Sequence, residues 1–152
     1  MDSTKRRLAK ELTQMLKDPP SGVSVIQEEQ ATANLMCWSL ILEGARNTLY
    51  DSEIFQLQFR FDDQYPFSSP EVMFMGENIP VHPHVYSNGH ICLSILSDDW
   101  TPALSVSSVC LSIQSMLSSC KEKKRPPDND LYVRTCSKNP NKTRWWFHDD
   151  KV

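Results

Sequence analysis

The stretch HPHVYSNGHICLSIL, residues 82–96, separates two kinds of hydrophobic pattern in the chain. Before it, apolar and polar residues alternate as they do in β-strands, whereas after it the apolar residues recur with the period of a helix. The stretch itself holds three histidines and one cysteine within eleven positions, around an Asn-Gly pair that is typical of a tight turn. Both the fold and the chemistry of the chain therefore depend on what this stretch forms.

Short strand-like runs precede this stretch. Residues 35–43 and 72–75 are apolar runs, and in residues 53–61 an aromatic and aliphatic face alternates with a face that carries two glutamines. The connections between these runs are short and contain glycine, asparagine or proline. Consecutive strands joined by short turns favour an antiparallel meander.

Helical patterns flank the strands. A first helix is predicted from Ser3 or Thr4, either of which can cap it, to the Asp18-Pro19-Pro20 sequence that stops it. Downstream, residues 105–119 carry apolar side chains at helical spacing, and a short helix is predicted for residues 128–136. The order of helix, strands, long loop and helix predicts one α+β domain.

Composition limits the class of protein. The chain has 152 residues, a net charge of −3 and no apolar run near the roughly 18 residues that cross a bilayer. We therefore expect neither a nucleic-acid nor a membrane partner. Five cysteines without close pairing, in a chain with no secretory signal, are expected to be reduced thiols of a nuclear and cytoplasmic protein.

Two chemistries are open to the histidines and the cysteine of the opening stretch. The four residues share one parity, so a tight turn at Asn88-Gly89 could bring them together as zinc ligands. A second ligand cluster with CxxC or HxxxH spacing is absent from the sequence. Alternatively, Cys92 is a nucleophile at the edge of an element, unlike Cys110 on the apolar face of a helix. The residues alone leave a third possibility open, in which Cys92 is a small buried side chain without a chemical role. We predict no metal.

Motifs spread along residues 3–120 occur in an order that is found in a known family. They are the helix ending in Asp18-Pro19-Pro20, the turn Tyr65-Pro66-Phe67 with Pro70, and the run His82-Pro83, Gly89, Ile91-Cys92-Leu93, Ile95-Leu96 and Trp100-Thr101-Pro102 before a helix. Together they resemble the ubiquitin-conjugating enzymes. One branch of that family matches more closely still, through HPH, HICLSIL, CKEK, RPPDN and the terminal WW.HDD.

The resemblance implies a fold and an activity. The fold is the ubiquitin-conjugating fold: an N-terminal helix, a four-stranded antiparallel meander, an active-site loop, a central helix and a shortened, atypical C-terminus. Cys92 accepts ubiquitin from the activating enzyme as a thioester, and an acceptor amine then attacks the carbonyl. The surface that binds the activating enzyme and RING or U-box ligases is formed by Arg6, Arg7, Lys10, Phe67, Pro102 and Ala103. No cofactor is bound, since ATP is used upstream by the activating enzyme.

The chain departs from the family pattern beside the cysteine. His82 and Pro83 keep the active-site frame, but His84 replaces the asparagine of the family's His-Pro-Asn triplet. A neutral imidazole can donate one hydrogen bond, so His84 can still support the oxyanion or the loop.

Acidic residues that help deprotonate a lysine in relatives are hard to find in this sequence. Ser94 stands where an aspartate often follows the cysteine, and residues 121–125 are basic where an acidic loop is expected. The pKa of a lysine amine is about 10.4 and that of an α-amine about 7.7–8.0, so the α-amine is unprotonated about 400 times more often. We expect monoubiquitination of flexible N-termini, as the closest branch implies. A lysine-directed carrier and a catalytically inactive ubiquitin- or ligase-binding variant remain the alternatives.

The C-terminus is the other departure. We divide the chain into a core domain, residues 1–136, and an atypical tail, residues 137–152. The tail's aromatic and acidic side chains either pack over the core or form part of the acceptor site, where an aspartate attracts a protonated N-terminus. The residues concerned are Trp145, Trp146, Asp149 and Asp150.

Overall fold

A computed structural model describes residues 2–27 and 34–142 of the protein. In this part of the chain four strands pair antiparallel in chain order, as the meander predicted: β1 (Val23–Val25), β2 (Cys37–Glu43), β3 (Ile54–Arg60) and β4 (Glu71–Met75). In β3, Phe55, Leu57 and Phe59 are buried, which confirms the alternation seen in the sequence.

The same described residues form three α-helices: α1 (Ser3–Lys17), α2 (Val106–Ser118) and α3 (Asn129–Thr135). The apolar stripe of α2 packs into the core, with Val109 and Ile113 fully buried. None of these helices is long and apolar enough to cross a membrane. The element order and the antiparallel sheet confirm the predicted α+β domain.

The cap predicted for α1 is wrong. Asp2 caps the helix, because its carboxylate accepts a hydrogen bond from the Lys5 backbone N–H at 2.8 Å. Thr4 is buried instead, and its hydroxyl donates to the carbonyl oxygen of Tyr65 at 2.8 Å. A short polar side chain one residue earlier thus satisfies the helix end, and Thr4 joins α1 to the turn that follows β3.

Glu11 connects α1 to both neighbouring layers. One of its oxygens accepts from the Tyr65 hydroxyl at 2.6 Å and from the Arg7 guanidinium at 2.8 Å. The other accepts from the backbone N–H of Val106, at the first turn of α2, at 2.8 Å. A carboxylate at a helix N-terminus is stabilised by the helix dipole, so Glu11 fixes the start of α2 against α1.

The chain after α3 returns to the sheet. A 3₁₀ turn, Pro140–Lys142, brings the Asn141 side-chain amide to within 2.7 Å of the carbonyl oxygen of Pro70, to which it donates. Asn139 donates to the Glu71 carboxylate at 2.7 Å. The tail residues predicted to matter, Trp145, Trp146, Asp149 and Asp150, lie outside the described residues. Their roles and the boundary at residue 136 stay predictions.

Candidate functional site

A turn that only glycine fits lies at the base of the site. Gly89 has a φ of +92°, its N–H donates to the carbonyl oxygen of Tyr86 at 2.9 Å, and its own oxygen accepts from the N–H of Phe74 at 2.9 Å. A Cβ on Gly89 would overlap the carbonyl oxygen of Phe74 in β4. The predicted Asn-Gly turn therefore packs directly against the sheet.

Cys92 follows this turn and is half-buried. Its N–H donates to the carbonyl oxygen of His84 at 2.8 Å, so the histidine segment and the cysteine run side by side. Burial, and next the negative charge of Asp128, raise the pKa of the thiol to about 11. At pH 7 roughly one molecule in 10,000 then carries a thiolate. The resting thiol is therefore protonated, and it would have to lose its proton before it could act as a thiolate nucleophile.

His82 belongs to the frame of the site. It is fully buried; its Nε2–H donates to the carbonyl oxygen of Met116 at 3.0 Å, and its Nδ1 accepts from the N–H of His84 at 2.9 Å. Burial lowers its pKa from 6.5 to about 4, so the ring is neutral at physiological pH. A neutral ring with one donor and one acceptor nitrogen matches both partners, and these two bonds join residues 82–84 to α2.

The geometry gives the zinc alternative no support. Both nitrogens of His82 bond to the backbone, and Nδ1 of His90 lies 2.8 Å from the Tyr132 hydroxyl in the interior. Across residues 2–27 and 34–142, histidine, cysteine and acidic side chains form no group of three or more that could hold a metal ion. The turn does bring the two halves of the stretch together, but through backbone hydrogen bonds.

We expect His82 to make the fold sensitive to acid. Its pKa is lower in the folded than in the unfolded chain, so the unfolded chain binds more protons between pH 6.5 and about 4. The stabilisation by neutral His82 is complete above pH 6.5 and falls by up to about 3 kcal/mol across that window. Urea unfolding of wild type and His82→Gln measures the effect. If both proteins lost the same free energy of unfolding between pH 7 and pH 4.5, the result would contradict this role of His82.

Asp128 is a site residue that the sequence analysis missed. Its two carboxylate oxygens lie 3.1 and 3.2 Å from the Tyr86 hydroxyl, and its charge acts on Cys92. The acidic group whose charge acts on Cys92 is therefore neither at position 94 nor in residues 121–125, the places where relatives led us to expect one. Asp128 lies far along the chain, beyond the basic run, and only the fold brings it to the site.

Residues at the start of α3 are held against the active-site turn. The Ser87 N–H donates to the Asn129 side-chain oxygen at 2.9 Å, and the Asn129 amide donates back to the Ser87 hydroxyl at 3.1 Å. The rings of Tyr86 and Tyr132 stack with centroids 3.7 Å apart. These contacts set the position of Asp128 relative to the turn, and spacing in the sequence could not have shown them.

The predicted ligase surface consists of two adjoining loops. Phe67 is 79% exposed, and Pro102 and Ala103 are also exposed. The Trp100 indole N–H donates to the carbonyl oxygen of Pro66 at 2.8 Å, which ties the two loops together. Exposed apolar side chains on braced loops are suited to act as anchors in a transient interface.

The three basic residues predicted for the same surface differ from one another. Arg6 and Lys10 are exposed on α1. Arg7 is instead half-buried and donates to the carbonyl oxygens of Leu104 at 2.8 Å and Pro102 at 3.2 Å. Arg7 thus holds the loop in place, while Arg6 and Lys10 are available to attract a partner's acidic groups.

Known proteins are similar to this chain over nearly its whole length. A sequence model of the family described as ubiquitin-conjugating enzyme matches residues 7–147. Ubiquitin-conjugating enzyme E2 W of Caenorhabditis elegans is 66% identical over 99% of both chains, and probable ubiquitin-conjugating enzyme E2 W-A of Danio rerio is 63% identical over 99% of both. The crystal structure of ubiquitin conjugating enzyme E2 UbcA1 from Agrocybe aegerita has a TM-score of 0.86 at 49% identity, covering 92% of this chain and 99% of that one.

Proposed function

The chain belongs to the ubiquitin-conjugating enzyme family, and we propose that it carries ubiquitin on Cys92 and transfers it to the N-terminal α-amine of protein substrates. The observation that carries this proposal is the position of Cys92. It is a half-buried thiol that follows the Gly89 turn, and its N–H donates to the His84 carbonyl. The resemblance in sequence assigns the family's cysteine to this position.

The proposed reaction has two exchanges at one carbonyl. The sulfur of Cys92 attacks the ubiquitin thioester on the activating enzyme, that enzyme's thiolate leaves, and the Cys92 thiol proton is lost to solvent or a base. An acceptor amine then attacks the new thioester, the C–S bond breaks, and the Cys92 sulfur takes up a proton. A thioester suits this role because sulfur donates little resonance to the carbonyl and thiolate is a good leaving group.

His84 is proposed to assist the second exchange. It occupies the family's asparagine position, and its ring lies edge-on to that of His82 with centroids 5.8 Å apart. From that position a ring N–H can support the oxyanion or the loop.

The proposed preference for α-amines rests on the pKa difference between the two amines, since an α-amine needs less help to lose its proton. Asp128 favours the second candidate, a lysine-directed carrier, because a carboxylate near the thioester can help deprotonate a lysine ammonium. Both candidates use the same thioester, and they differ only in the acceptor.

The remaining assignments follow from the family. We propose that RING or U-box ligases bind the loops of Phe67, Pro102 and Ala103, and that the activating enzyme uses the exposed side of α1. ATP would be consumed upstream, on the activating enzyme. The cysteines are free thiols, which supports nuclear and cytoplasmic localisation.

A competition between two peptides tests the acceptor. One peptide has a free N-terminus and no lysine, and the other is N-acetylated and contains lysines. With equal amounts at pH 7, we expect at least about tenfold more ubiquitin on the first, because its amine is far more often unprotonated. Mass spectrometry of the products measures the ratio. Asp128→Asn is the matched variant and should lower lysine transfer more than α-amine transfer. Modification mainly of the acetylated peptide would establish the lysine-directed candidate instead.

A further inference from the structure

The basic run at residues 121–125 has no role in the function proposed above, and its members differ in their surroundings. Lys121, Lys123 and Lys124 are exposed, and Lys123 pairs with Glu53 at 2.6 Å. Arg125 is half-buried, and burial lowers its pKa. A charged group that is partly removed from water needs compensating hydrogen bonds, which identifies Arg125 as the unusual member of the run.

The Arg125 guanidinium binds backbone carbonyls on both sides of the His82-Pro83-His84 segment. Its Nη1 donates to the oxygen of Pro80 at 2.7 Å and to that of Val85 at 3.3 Å, and its Nη2 donates to the oxygen of Ile79 at 3.3 Å. A planar group with several fixed donors can hold three acceptors at once, whereas the single ammonium of a lysine acts as a point charge.

The loop to which Arg125 is hydrogen-bonded orients the backbone of Cys92. Val85 follows His84 directly, is fully buried, and donates its N–H to the His82 oxygen at 3.1 Å. The neighbouring carbonyl, that of His84, accepts the Cys92 N–H at 2.8 Å. Because Arg125 holds the Val85 carbonyl, it also fixes the orientation of the neighbouring His84–Val85 peptide. The carbonyl of that peptide is the acceptor that aligns Cys92.

We propose that Arg125 is a positioning residue of the Cys92 site. It holds both ends of the loop formed by residues 79–85, which we call the histidine loop, and so keeps the Cys92 nucleophile correctly oriented. This inference rests on the proposed thioester function. The Tyr50 hydroxyl, which donates to the Val81 oxygen at 2.5 Å, holds the middle of the loop from another side. Arg125 acts through the backbone and does not touch the reacting atoms.

The test compares Arg125→Ala and Arg125→Lys with Lys124→Ala, whose lysine is 61% exposed at the side chain. The rate of ubiquitin transfer from the charged activating enzyme gives kcat and KM. We expect Arg125→Ala to lower kcat about tenfold with little change in KM, because a misaligned nucleophile slows the chemical step without altering the docking surface. Arg125→Lys should recover only a small part of the lost kcat, and Lys124→Ala should have the kcat and KM of wild type.

Chemical rescue separates positioning from general stability. Guanidinium ion at concentrations far below those that unfold proteins should restore kcat of Arg125→Ala, and leave wild type and Lys124→Ala unchanged. Alkylation of Cys92 by iodoacetamide, located by peptide mass mapping, gives a readout without ubiquitin. It should be severalfold faster in Arg125→Ala at pH 7, because a loosened loop exposes the thiol and favours its ionised form.

Some results would overturn the inference. A folded Arg125→Ala protein with wild-type kcat and alkylation rate contradicts it. A loss of kcat that is no larger than the fraction of unfolded protein, and that guanidinium ion does not reverse, contradicts it as well. If wild type cannot be charged at all, the proposed function fails, and the alkylation rates alone then decide whether Arg125 positions Cys92.

Discussion

Gly89→Ala is expected to lower the free energy of unfolding by roughly 3 kcal/mol, because two separate costs add. The φ of +92° is strained for any residue with a Cβ, and the added carbon would overlap the carbonyl oxygen of Phe74. That oxygen belongs to β4, an edge strand in which Phe74 pairs with Leu57 of β3, so it cannot move aside without disturbing that pairing. Urea unfolding, followed by circular dichroism, measures the change.

Gly76 provides the matched control. Its φ of +82° imposes a similar backbone strain, but a Cβ there would meet only the Gln56 side chain at an ordinary 3.5 Å. Gly76→Ala should therefore lower the free energy of unfolding by only about 1 kcal/mol, which is the cost of the backbone strain without the steric overlap. Equal losses in the two variants would mean that the contact between the turn and β4 is not the reason for glycine at position 89.

Periodicity in the sequence was sufficient to predict one α+β domain with an antiparallel meander. The four-stranded fold was predicted from the resemblance, since β1 has only three residues and is too short for a period to be seen. The alternation in β3 and the stripe of α2 arise because one face of each element is buried, and burial selects apolar residues at the element's own period. Periodicity also predicted that Cys110 lies in the core, where it is fully buried. Cys92 was predicted at the edge of an element from the turn before it, and it lies just before the 3₁₀ turn Ser94–Leu96.

Contacts between distant residues could not be predicted in this way. The charge of Asp128 acts on Cys92 because Asn129 and Tyr86 hold the start of α3 against the turn at residues 86–89. Neither the charge of Asp128 nor its spacing from the cysteine signals this. Likewise, Arg7 has the sequence character of a surface charge, but its geometry makes it a brace for the Pro102 loop.

Cys92→Ala is expected to abolish charging with ubiquitin completely, since the substitution removes the sulfur that forms the thioester. Cys110 is fully buried on α2, where burial raises the pKa of its thiol to about 12, so it cannot take over. Cys37→Ala is the control, because Cys37 is half-buried on β2 and should leave charging unchanged. Cys92→Ser should give, at most, an adduct that resists thiols, because an oxyester is less reactive than a thioester.

The most direct test of the account is the intact mass of the protein after incubation with activating enzyme, ubiquitin and ATP. We predict that wild type gains one ubiquitin that excess thiol removes, that peptide mapping places it on Cys92, and that Cys92→Ala gains none. A wild-type protein that stays unmodified, or a thiol-sensitive adduct that persists in Cys92→Ala, would contradict the claim that Cys92 carries ubiquitin.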